Sequence, residues 1–319
     1  MILIVNIMKA LLFLQTLIYN CNLIISRLLL KFKSTNLKTS ENNNNEILYL
    51  TYNKKKFVFP KRNQSKYNLQ SFDDLRNTLA VVLNKKTPSN FIDIGAYIGI
   101  YTFIVNEIYK DLEKRINLYS FEPTKYAFEL LNKNKVDDNK HALFNHGIFN
   151  ENKIAYISAP SVYYSNSLKQ HLKKNSKSMK SLNEKGGIDS EKIQLMKIDE
   201  ILEKQVIEDS YVKIDVEGSE VEILKYLDKK NLYPQIISAE LNNHYLYKRN
   251  LTIEKIFNKE IQKIYSFYIV VNENDKKKFL KKISLFELQK IIMLGNKNNF
   301  IKKYIFPKVF AIDIYLIRE

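Results

Sequence analysis

The sequence has no tryptophan and a single cysteine, Cys21, in 319 residues, together with seven glycines and six prolines. One cysteine cannot form an intramolecular disulfide or a cysteine-built zinc site, which excludes disulfide-stapled secreted scaffolds and zinc fingers. The chain is nevertheless expected to fold, because 45% of its residues are hydrophobic and 12% are aromatic, as in globular proteins. The shortage of cysteine favours a reducing compartment, so we expect a cytoplasmic location.

Several motifs that identify enzyme classes are also absent. No GxxxxGK[ST] segment occurs, which excludes a P-loop, and no GxSxG segment occurs, which excludes a nucleophile elbow. The four histidines are not spaced as metal ligands. We therefore predict no metal site, although the oxygens of Asp215, Glu240 and Asn242 leave a divalent cation open as an alternative.

Positive charge is abundant but unevenly distributed. The chain has 51 Lys and Arg against 34 Asp and Glu, a formal net charge of +17. No acidic residue precedes Glu41, and the basic excess lies at the two ends of the chain, away from a more acidic middle. Because lysine and asparagine are both abundant and share AT-rich codons, we attribute the charge to base composition and expect no specific nucleic acid partner.

Residues 1–33 are interpreted as an amphipathic, mostly apolar helix. Its polar residues recur at intervals of seven and four, along one stripe of a helix: Lys9, Thr16, Asn20, Arg27 and Lys31. Such a helix lies on a surface, which is either an anionic membrane leaflet or the protein's own core, and the sequence does not separate the two. A third alternative is a spanning helix or signal peptide, because residues 10–26 are uncharged.

Three segments follow this helix. Residues 34–45 are polar and low in complexity, as in a linker. Residues 46–84 lead into the core, with a hairpin over Ile47–Phe59 and a helix over Phe72–Leu83. In residues 85–319 short β-rich runs alternate with helical runs, which is typical of a parallel sheet with right-handed crossovers. The predicted fold class is α/β: a doubly wound, mostly parallel sheet with an antiparallel closing hairpin, plus the N-terminal helix.

Candidate binding residues stand where the predicted strands end, because ligands of doubly wound sheets bind beyond the carboxyl ends of the strands. The first strand runs into DIGAYIG, in which Gly95 supplies a tight turn and Gly99 close packing of helix on strand. Tyr97 occupies the position where a dinucleotide fingerprint needs glycine, which disfavours a diphosphate. Glu122 ends the second strand and can accept hydrogen bonds from both hydroxyls of a ribose, unless it merely caps the next helix. Asp93 and Glu122 together suggest a positively charged cofactor with a ribose, a description that S-adenosylmethionine meets.

Four motifs in series carry a family resemblance. DIGAYIG, FEP, KIDEIL with VKIDVEGSE, and a strand ending in AEL follow one another within residues 85–245. In this order they resemble the FkbM family of S-adenosylmethionine-dependent methyltransferases, which have a Rossmann-like class I fold and mostly methylate hydroxyl groups of sugars or natural products. The resemblance implies S-adenosylmethionine as cofactor and a saccharide or related small-molecule or glycan hydroxyl as acceptor. It implies a cofactor site made of Asp93, Gly95, Ala96, Tyr97, Gly99, Glu122 and Asn150, with Glu151 as the alternative to Asn150.

Methyl transfer to a hydroxyl also requires removal of the hydroxyl proton by a base. The resemblance places Asp215 at the end of the fourth strand, facing the methyl donor and the acceptor. Glu240 and His244, at and just beyond the end of the fifth strand, complete the set of candidate catalytic residues, and histidine is the only one of these types with an ordinary pKa near neutrality. Lys213 lies within a central strand and needs a partner if it is buried, for which Asp199 and Glu240 are the candidates.

Two interpretations of the whole chain remain at this point. The first is an O-methyltransferase, in which the polar residues 162–188 either cover the acceptor or form a disordered insertion; within them Ser165–Leu168 resembles a short serine motif of the family. The second is a non-catalytic methyltransferase-like module that binds membrane or nucleic acid through its basic ends. The paired acids at strand ends and the positions of Gly95, Gly99 and Gly218 favour the enzyme.

Overall fold

The computed structural model of the chain describes residues 47–52, 55–60, 69–136, 140–158, 190–242, 246, 251–273, 277–297 and 311–319. Contacts within the chain divide it into two units, residues 1–57 and residues 58–319. The predicted helix over residues 1–33, the linker over residues 34–45 and the polar insert over residues 162–188 lie outside the described residues, and so does His244.

The predicted hairpin and the helix after it are both present. Strands β1 (Ile47–Tyr52) and β2 (Lys55–Pro60) pair in a two-stranded sheet. Helix α1 (Leu69–Leu83) starts three residues before the predicted Phe72 and ends where predicted. The boundaries of helices are the least certain part of any prediction from sequence, because the first turn depends on tertiary contacts as well as on local propensity.

An eight-stranded sheet forms the centre of residues 58–319. Its strands are β3 (Asn90–Ile94), β4 (Asn117–Phe121), β5 (His141–Phe144), β9 (Ser210–Ile214), β10 (Ile236–Asn242), β11 (Tyr265–Glu273), β12 (Lys277–Ile283) and β13 (Ala311–Arg318). Their order across the sheet is β12-β11-β13-β10-β9-β3-β4-β5. From β5 to β10 all neighbouring strands are parallel, whereas β13 is antiparallel to both β10 and β11, and β11 and β12 pair as an antiparallel edge. The predicted doubly wound sheet with an antiparallel closing hairpin is therefore confirmed.

Helices connect the strands. Every residue of β3 and of β9 is buried, as expected for central parallel strands with both faces covered. Apolar side chains of β3, β9 and β10 belong to one core, which includes Ile92, Val212 and Ile237. The helices after α1 are α2 (Ile100–Asp111), α3 (Lys125–Lys133), α4 (Lys204–Glu208), α5 (Glu220–Lys229), α6 (Ile253–Ile256), α7 (Lys259–Ile264) and α8 (Leu285–Lys297).

A second, three-stranded sheet departs from the sequence prediction. The mostly apolar segment 141–149 does not form one continuous strand, because β5 ends at Phe144. The chain then enters β6 (Gly147–Ile148), which pairs with β8 (Ser190–Met196), and β8 also pairs with β7 (Lys153–Ser158). The break follows from Asn145 and His146, two polar residues that interrupt the apolar run.

A buried asparagine joins strand β2 to the segment after β3. Asn134, 8% exposed at the end of α3, accepts a hydrogen bond from the Val58 amide and donates to the carbonyls of Val58 and Ile98. These three bonds use one acceptor and two donors of the side-chain amide. The hydrogen bond from Asn134 thereby fixes the carbonyl of Ile98, which lies inside the DIGAYIG segment.

No helix in the described ranges is both long and apolar enough to cross a bilayer.

Candidate active site

The turn after β3 is built around glycines with positive φ. Gly95 has φ +78°, and a Cβ at this position would lie 1.9 Å from the carbonyl oxygen of Asp215. The amides of Gly95 and Ala96 both donate to the Phe121 carbonyl, which holds the turn against the end of β4. Tyr97 also has positive φ, +51°. The turn therefore depends on a glycine at position 95, because any side chain there would collide with backbone.

Glu122 follows β4 and is turned toward this loop. One of its carboxylate oxygens accepts a hydrogen bond from the Tyr97 amide at 2.9 Å, and the other accepts from the amide and hydroxyl of Thr124 at 3.0 and 2.6 Å. Burial raises the pKa of Glu122, and the donors at Thr124 and Tyr97 oppose that shift. A carboxylate has about four acceptor positions, so three protein donors leave capacity for one more. Glu122 thus connects the loop after β3 with the end of β4.

Asp93 is completely buried beneath the same loop. Its Oδ2 accepts a hydrogen bond from the Thr102 hydroxyl at 2.7 Å, and Oδ1 lies 3.2 Å from Nζ of Lys213, within ion-pair distance but outside hydrogen-bond geometry. The Thr102 hydroxyl also contacts that of Ser120, which contacts Nε2 of His141. Asp93 therefore faces the interior of the protein.

Lys213 has different partners from those predicted. Its Nζ donates to the Gly95 carbonyl at 3.0 Å and lies 3.4 Å from Oδ2 of Asp215, in addition to Asp93. Burial alone would lower the pKa of Lys213, but the two carboxylates outweigh it and raise that pKa. The prediction of Asp199 or Glu240 as partner was wrong; Asp199 instead contacts Tyr226 and Lys230. Strand pairing explains the difference, because Lys213 lies opposite Asp93 in the parallel register of β3 and β9.

A polar cleft opens where β9 and β10 end and the antiparallel strand β13 begins. Glu240 of β10 pairs with Asp313 of β13 in the register of the two strands. The Asp215 side chain is 35% exposed, and Asp313 is also accessible to solvent. The ring of Tyr101 lies 4.6 Å from Nζ of Lys213, measured to the ring centroid. The lining residues are Tyr101, Lys213, Ile214, Asp215, Ser238, Ala239, Glu240, Asp313 and Tyr315.

Carboxyl groups crowd this cleft and perturb one another. Burial raises the pKa of Glu240 to about 8, and the negative charges of Asp215 and Asp313 contribute to the shift. Glu220, which accepts hydrogen bonds from the amides of Val216 and Gly218, has a pKa raised to about 7, chiefly by burial. Perturbed carboxyl groups in a cleft are characteristic of functional sites.

Several of the sequence-predicted site residues share one rim of the sheet. Gly95, Glu122 and Asp215 follow β3, β4 and β9, which are adjacent parallel strands, so they share one rim of the sheet. Asp215 and Glu240 both line the cleft. Gly99, φ +84°, begins α2. Asn150 lies at an exposed bend between β6 and β7. Asn145, rather than Asn150, follows β5, and the Asn145 side chain donates to the Glu122 carbonyl at 2.9 Å.

Two of the cleft residues that the sequence did not indicate come from the last strand. Asp313 and Tyr315 come from β13, far along the chain from the motifs, and reach the cleft because β13 pairs antiparallel with β10. One signal was present: in AIDIYLIR, Asp313 interrupts an otherwise apolar strand. Crowding by neighbouring protein atoms and the negative charge of Asp215 raise the pKa of Asp313, although part of its side chain remains exposed to solvent.

The chemistry of these side chains fits a cation with a ribose better than an anion. Asp215, Glu240 and Asp313 face the cleft with carboxylates, and the cleft's lysine is engaged by Asp93 and Asp215. Glu122 retains one acceptor position, which suits a hydroxyl donor. Within the described residues, no group of three or more His, Cys, Asp or Glu is arranged to hold a metal ion.

Comparison with known proteins agrees with this chemistry. The model of the FkbM methyltransferase domain matches residues 93–269, more than half of the chain. A search of curated proteins gave no significant match.

Among solved structures, the chain is similar to an FkbM methyltransferase from Methylobacillus flagellatus KT, with 16% identity, a TM-score of 0.30, and coverage of 48% of this chain and 32% of that one. It thus spans about a third of that protein. The plantazolicin methyltransferase BpumL in complex with SAH shows 13% identity, a TM-score of 0.36, and coverage of 81% and 88%. The fibrillarin/Nop5p complex shows 13% identity, a TM-score of 0.36, and coverage of 89% and 98%.

The match to the domain model includes the turn after β3, Glu122, Lys213, Asp215 and Glu240. Members of this family use S-adenosylmethionine as the methyl donor. The chain belongs to the FkbM family of S-adenosylmethionine-dependent methyltransferases, with a Rossmann-like class I fold.

Proposed function

We propose that this chain is an O-methyltransferase that transfers a methyl group to a hydroxyl of a saccharide or a related small-molecule or glycan acceptor. The observation that carries the proposal is the convergence of carboxyl groups at the ends of β4, β9 and β10, beside the glycine turn after β3. The motif resemblance supports a hydroxyl acceptor on a sugar or natural product.

In this proposal the cofactor lies over the turn after β3. Gly95, Ala96, Tyr97 and Gly99 form the turn, and Glu122 accepts a hydrogen bond from a ribose hydroxyl. Asp93 supports the turn from beneath, since it is completely buried. Asn150 remains a weaker member of the set because it lies at an exposed bend. S-adenosylmethionine, when bound, supplies a methyl group that its sulfonium already activates.

The chain must then supply a base for the acceptor hydroxyl. General bases work best when their pKa lies near the working pH, and Glu240 has a pKa of about 8. Glu240 is therefore the first candidate, with Asp215 beside it to orient the acceptor through hydrogen bonds. His244 remains a third candidate that lies outside the described residues.

A methyl-transfer assay tests this assignment. The full chain is incubated with S-adenosylmethionine labelled in its methyl group and a panel of mono- and oligosaccharides with free hydroxyls. We expect label on one class of saccharide, and Glu240→Gln to lower kcat by about 100-fold or more, the usual contribution of a general base. Glu208→Gln, a partly exposed ion-paired glutamate outside the cleft, is the matched control and should leave kcat unchanged. The panel includes amino sugars, and label on their amines alone, or on no saccharide, would contradict the proposal.

We also propose, as the sequence predicts, that the enzyme is cytoplasmic and that residues 1–33 bring it to an anionic membrane surface. The basic residues within that segment support it. The proposed domain limits are those of the sequence analysis, with residues 85–319 as the methyltransferase domain.

A further inference from the structure

Lys213 is a buried cation at the junction of two strand ends. It is 5% exposed, and its ammonium reaches the Gly95 carbonyl, Asp93 and Asp215. Gly95 belongs to the turn after β3, whereas Asp215 follows β9. One ammonium group thus contacts both sides of the candidate site.

Burial of this charge is costly unless its partners are well placed. An apolar side chain at such a position is often as stable as an ion pair or more so. Both immediate neighbours of Lys213 in its strand, Val212 and Ile214, are apolar and buried. A lysine here therefore needs an explanation other than stability, and its contacts point to the site.

Asp93 is a fixed counterion for this lysine. Thr102 holds its second oxygen, and the Thr102 hydroxyl is itself in contact with Ser120 at 2.9 Å. His141 extends the chain: its Nδ1 accepts from the Val136 amide, so Nε2 carries the proton and donates to Ser120. Every link lies in the interior, which prevents the Asp93 carboxylate from turning away.

We propose that Lys213 is a positioning residue of the cofactor site: its ammonium fixes the Gly95 turn and the Asp215 carboxylate relative to each other, with Asp93 as buried counterion. The inference rests on the proposed cofactor site. Lys213 acts through these groups and has no role in proton transfer.

If Lys213 positions the site, removal of its ammonium changes ligand affinity in the opposite direction from what its charge alone would predict. Removal of a cation from a cleft of carboxylates would, by Coulomb's law alone, strengthen binding of the cationic S-adenosylmethionine and leave the uncharged thioether S-adenosylhomocysteine nearly unaffected. Loss of positioning would instead weaken both ligands by a similar factor, because both need the same turn. The ratio of the two affinities separates the alternatives.

Calorimetric titration of the full chain with each ligand is the test. We expect Lys213→Met to weaken both ligands at least tenfold with their ratio nearly unchanged. Tighter binding of S-adenosylmethionine, or unchanged affinity for both, would overturn the proposal. Lys230→Met is the matched control, since Lys230 also pairs with a carboxylate and lies near a tyrosine ring but outside the cleft; it should bind both ligands as the wild type does.

A second variant separates positioning from a merely structural role. Lys213→Met leaves Asp93 buried without a cation, so the double variant Lys213→Met with Asp93→Asn should recover much of the lost thermal stability. We expect its ligand affinity to stay at least tenfold weaker than that of Asp93→Asn alone. Recovery of affinity together with stability would show that Lys213 only neutralises Asp93, and would overturn the proposal. The double variant carries the test if the single one fails to fold.

The same titrations distinguish a wrong cofactor site from a wrong role for Lys213. A folded wild-type chain that binds neither ligand would reject the site and this inference together, before any variant is compared. A wild type that binds both ligands, with Lys213→Met indistinguishable from it, would reject the role of Lys213 alone.

Discussion

At the scale of single residues, Glu122 is the proposed contact of the cofactor ribose. Its carboxylate already organises the loop through the Tyr97 amide and the end of β4 through Thr124. Asp93, which the sequence analysis grouped with it, performs a different task because it is completely buried. Their positions at strand ends group the two acids in the sequence, but only the packing distinguishes Glu122, which follows β4 at the rim, from Asp93, which is buried beneath the loop.

Replacement of Glu122 by glutamine should weaken binding of S-adenosylmethionine by about tenfold or more. The glutamine side chain keeps one acceptor oxygen, but its NH2 group faces donors such as the Tyr97 amide or the ribose hydroxyl and cannot accept from them. Each hydrogen bond to a charged group that is lost costs about 1.5–3 kcal/mol of binding free energy. Titration calorimetry measures the effect. Glu129→Gln, on the exposed side of α3, serves as control, and equal affinities for the two variants would argue against a ribose contact at Glu122.

Glu240 should make the stability of the folded protein depend on pH. Its pKa is about 8 in the folded chain against an ordinary 4.5, so between these values the folded state holds a proton that the unfolded state has lost. The free energy of unfolding therefore falls as the pH rises through this window, and the loss persists above it. Glu220, with a pKa of about 7, contributes in the same direction.

Glu240→Gln should remove part of this dependence. We expect wild type and variant to melt nearly alike near pH 5, and the variant to melt about 4 °C or more higher near pH 8, because each unit of pKa shift corresponds to about 1.4 kcal/mol. Thermal unfolding followed by circular dichroism at both values measures the difference. A wild type whose stability rises between pH 5 and pH 8 as steeply as that of the variant would refute the assignment.

At the scale of elements, the turn between β3 and α2 is the most constrained segment of the site. Gly95→Ala should lower the free energy of unfolding by about 3 kcal/mol, because positive φ costs an L-residue about 1–2 kcal/mol and overpacking against the Asp215 carbonyl adds about 1–3 kcal/mol. Urea denaturation measures the change.

Gly99→Ala is the matched comparison for this turn. Its φ is also positive, but the Cβ would meet only the end of the Leu131 side chain, at 2.6 Å. A flexible side chain can move where a backbone carbonyl cannot, so we expect a smaller loss, about 1–2 kcal/mol. Equal losses for the two variants would mean that Asp215 does not pack against the turn as described.

The strands themselves could be predicted from the sequence, whereas their neighbours in the sheet could not. Strands β3, β4 and β9 were predictable because each is a short apolar run followed by acid and turn residues. The partners of Lys213 were not, because they depend on which strands become neighbours: β3 and β9 are adjacent although more than 100 residues separate them. Asp313 was missed for the same reason, since the insertion of β13 beside β10 leaves no mark in local periodicity.

At the scale of the whole molecule, the net charge of +17 contrasts with the acidic cleft. The predicted helix over residues 1–33 carries part of the basic excess. Replacement of Lys9, Arg27 and Lys31 by glutamate in the full chain should reduce binding to phosphatidylserine vesicles by about tenfold or more, since each basic residue near such a surface contributes about 1 kcal/mol. Vesicle sedimentation at low salt measures it, and unchanged binding would contradict a membrane role for this segment.

The central claim for the whole molecule is that neighbouring strand ends form a site for a cationic nucleoside without phosphates. Calorimetric titration of the full chain with S-adenosylmethionine, and in parallel with NAD as a diphosphate-bearing ligand, tests it most directly. We predict saturable binding of S-adenosylmethionine at one site per chain and no detectable binding of NAD. Binding of NAD in preference to S-adenosylmethionine, or no binding of S-adenosylmethionine to the folded chain, would contradict the claim.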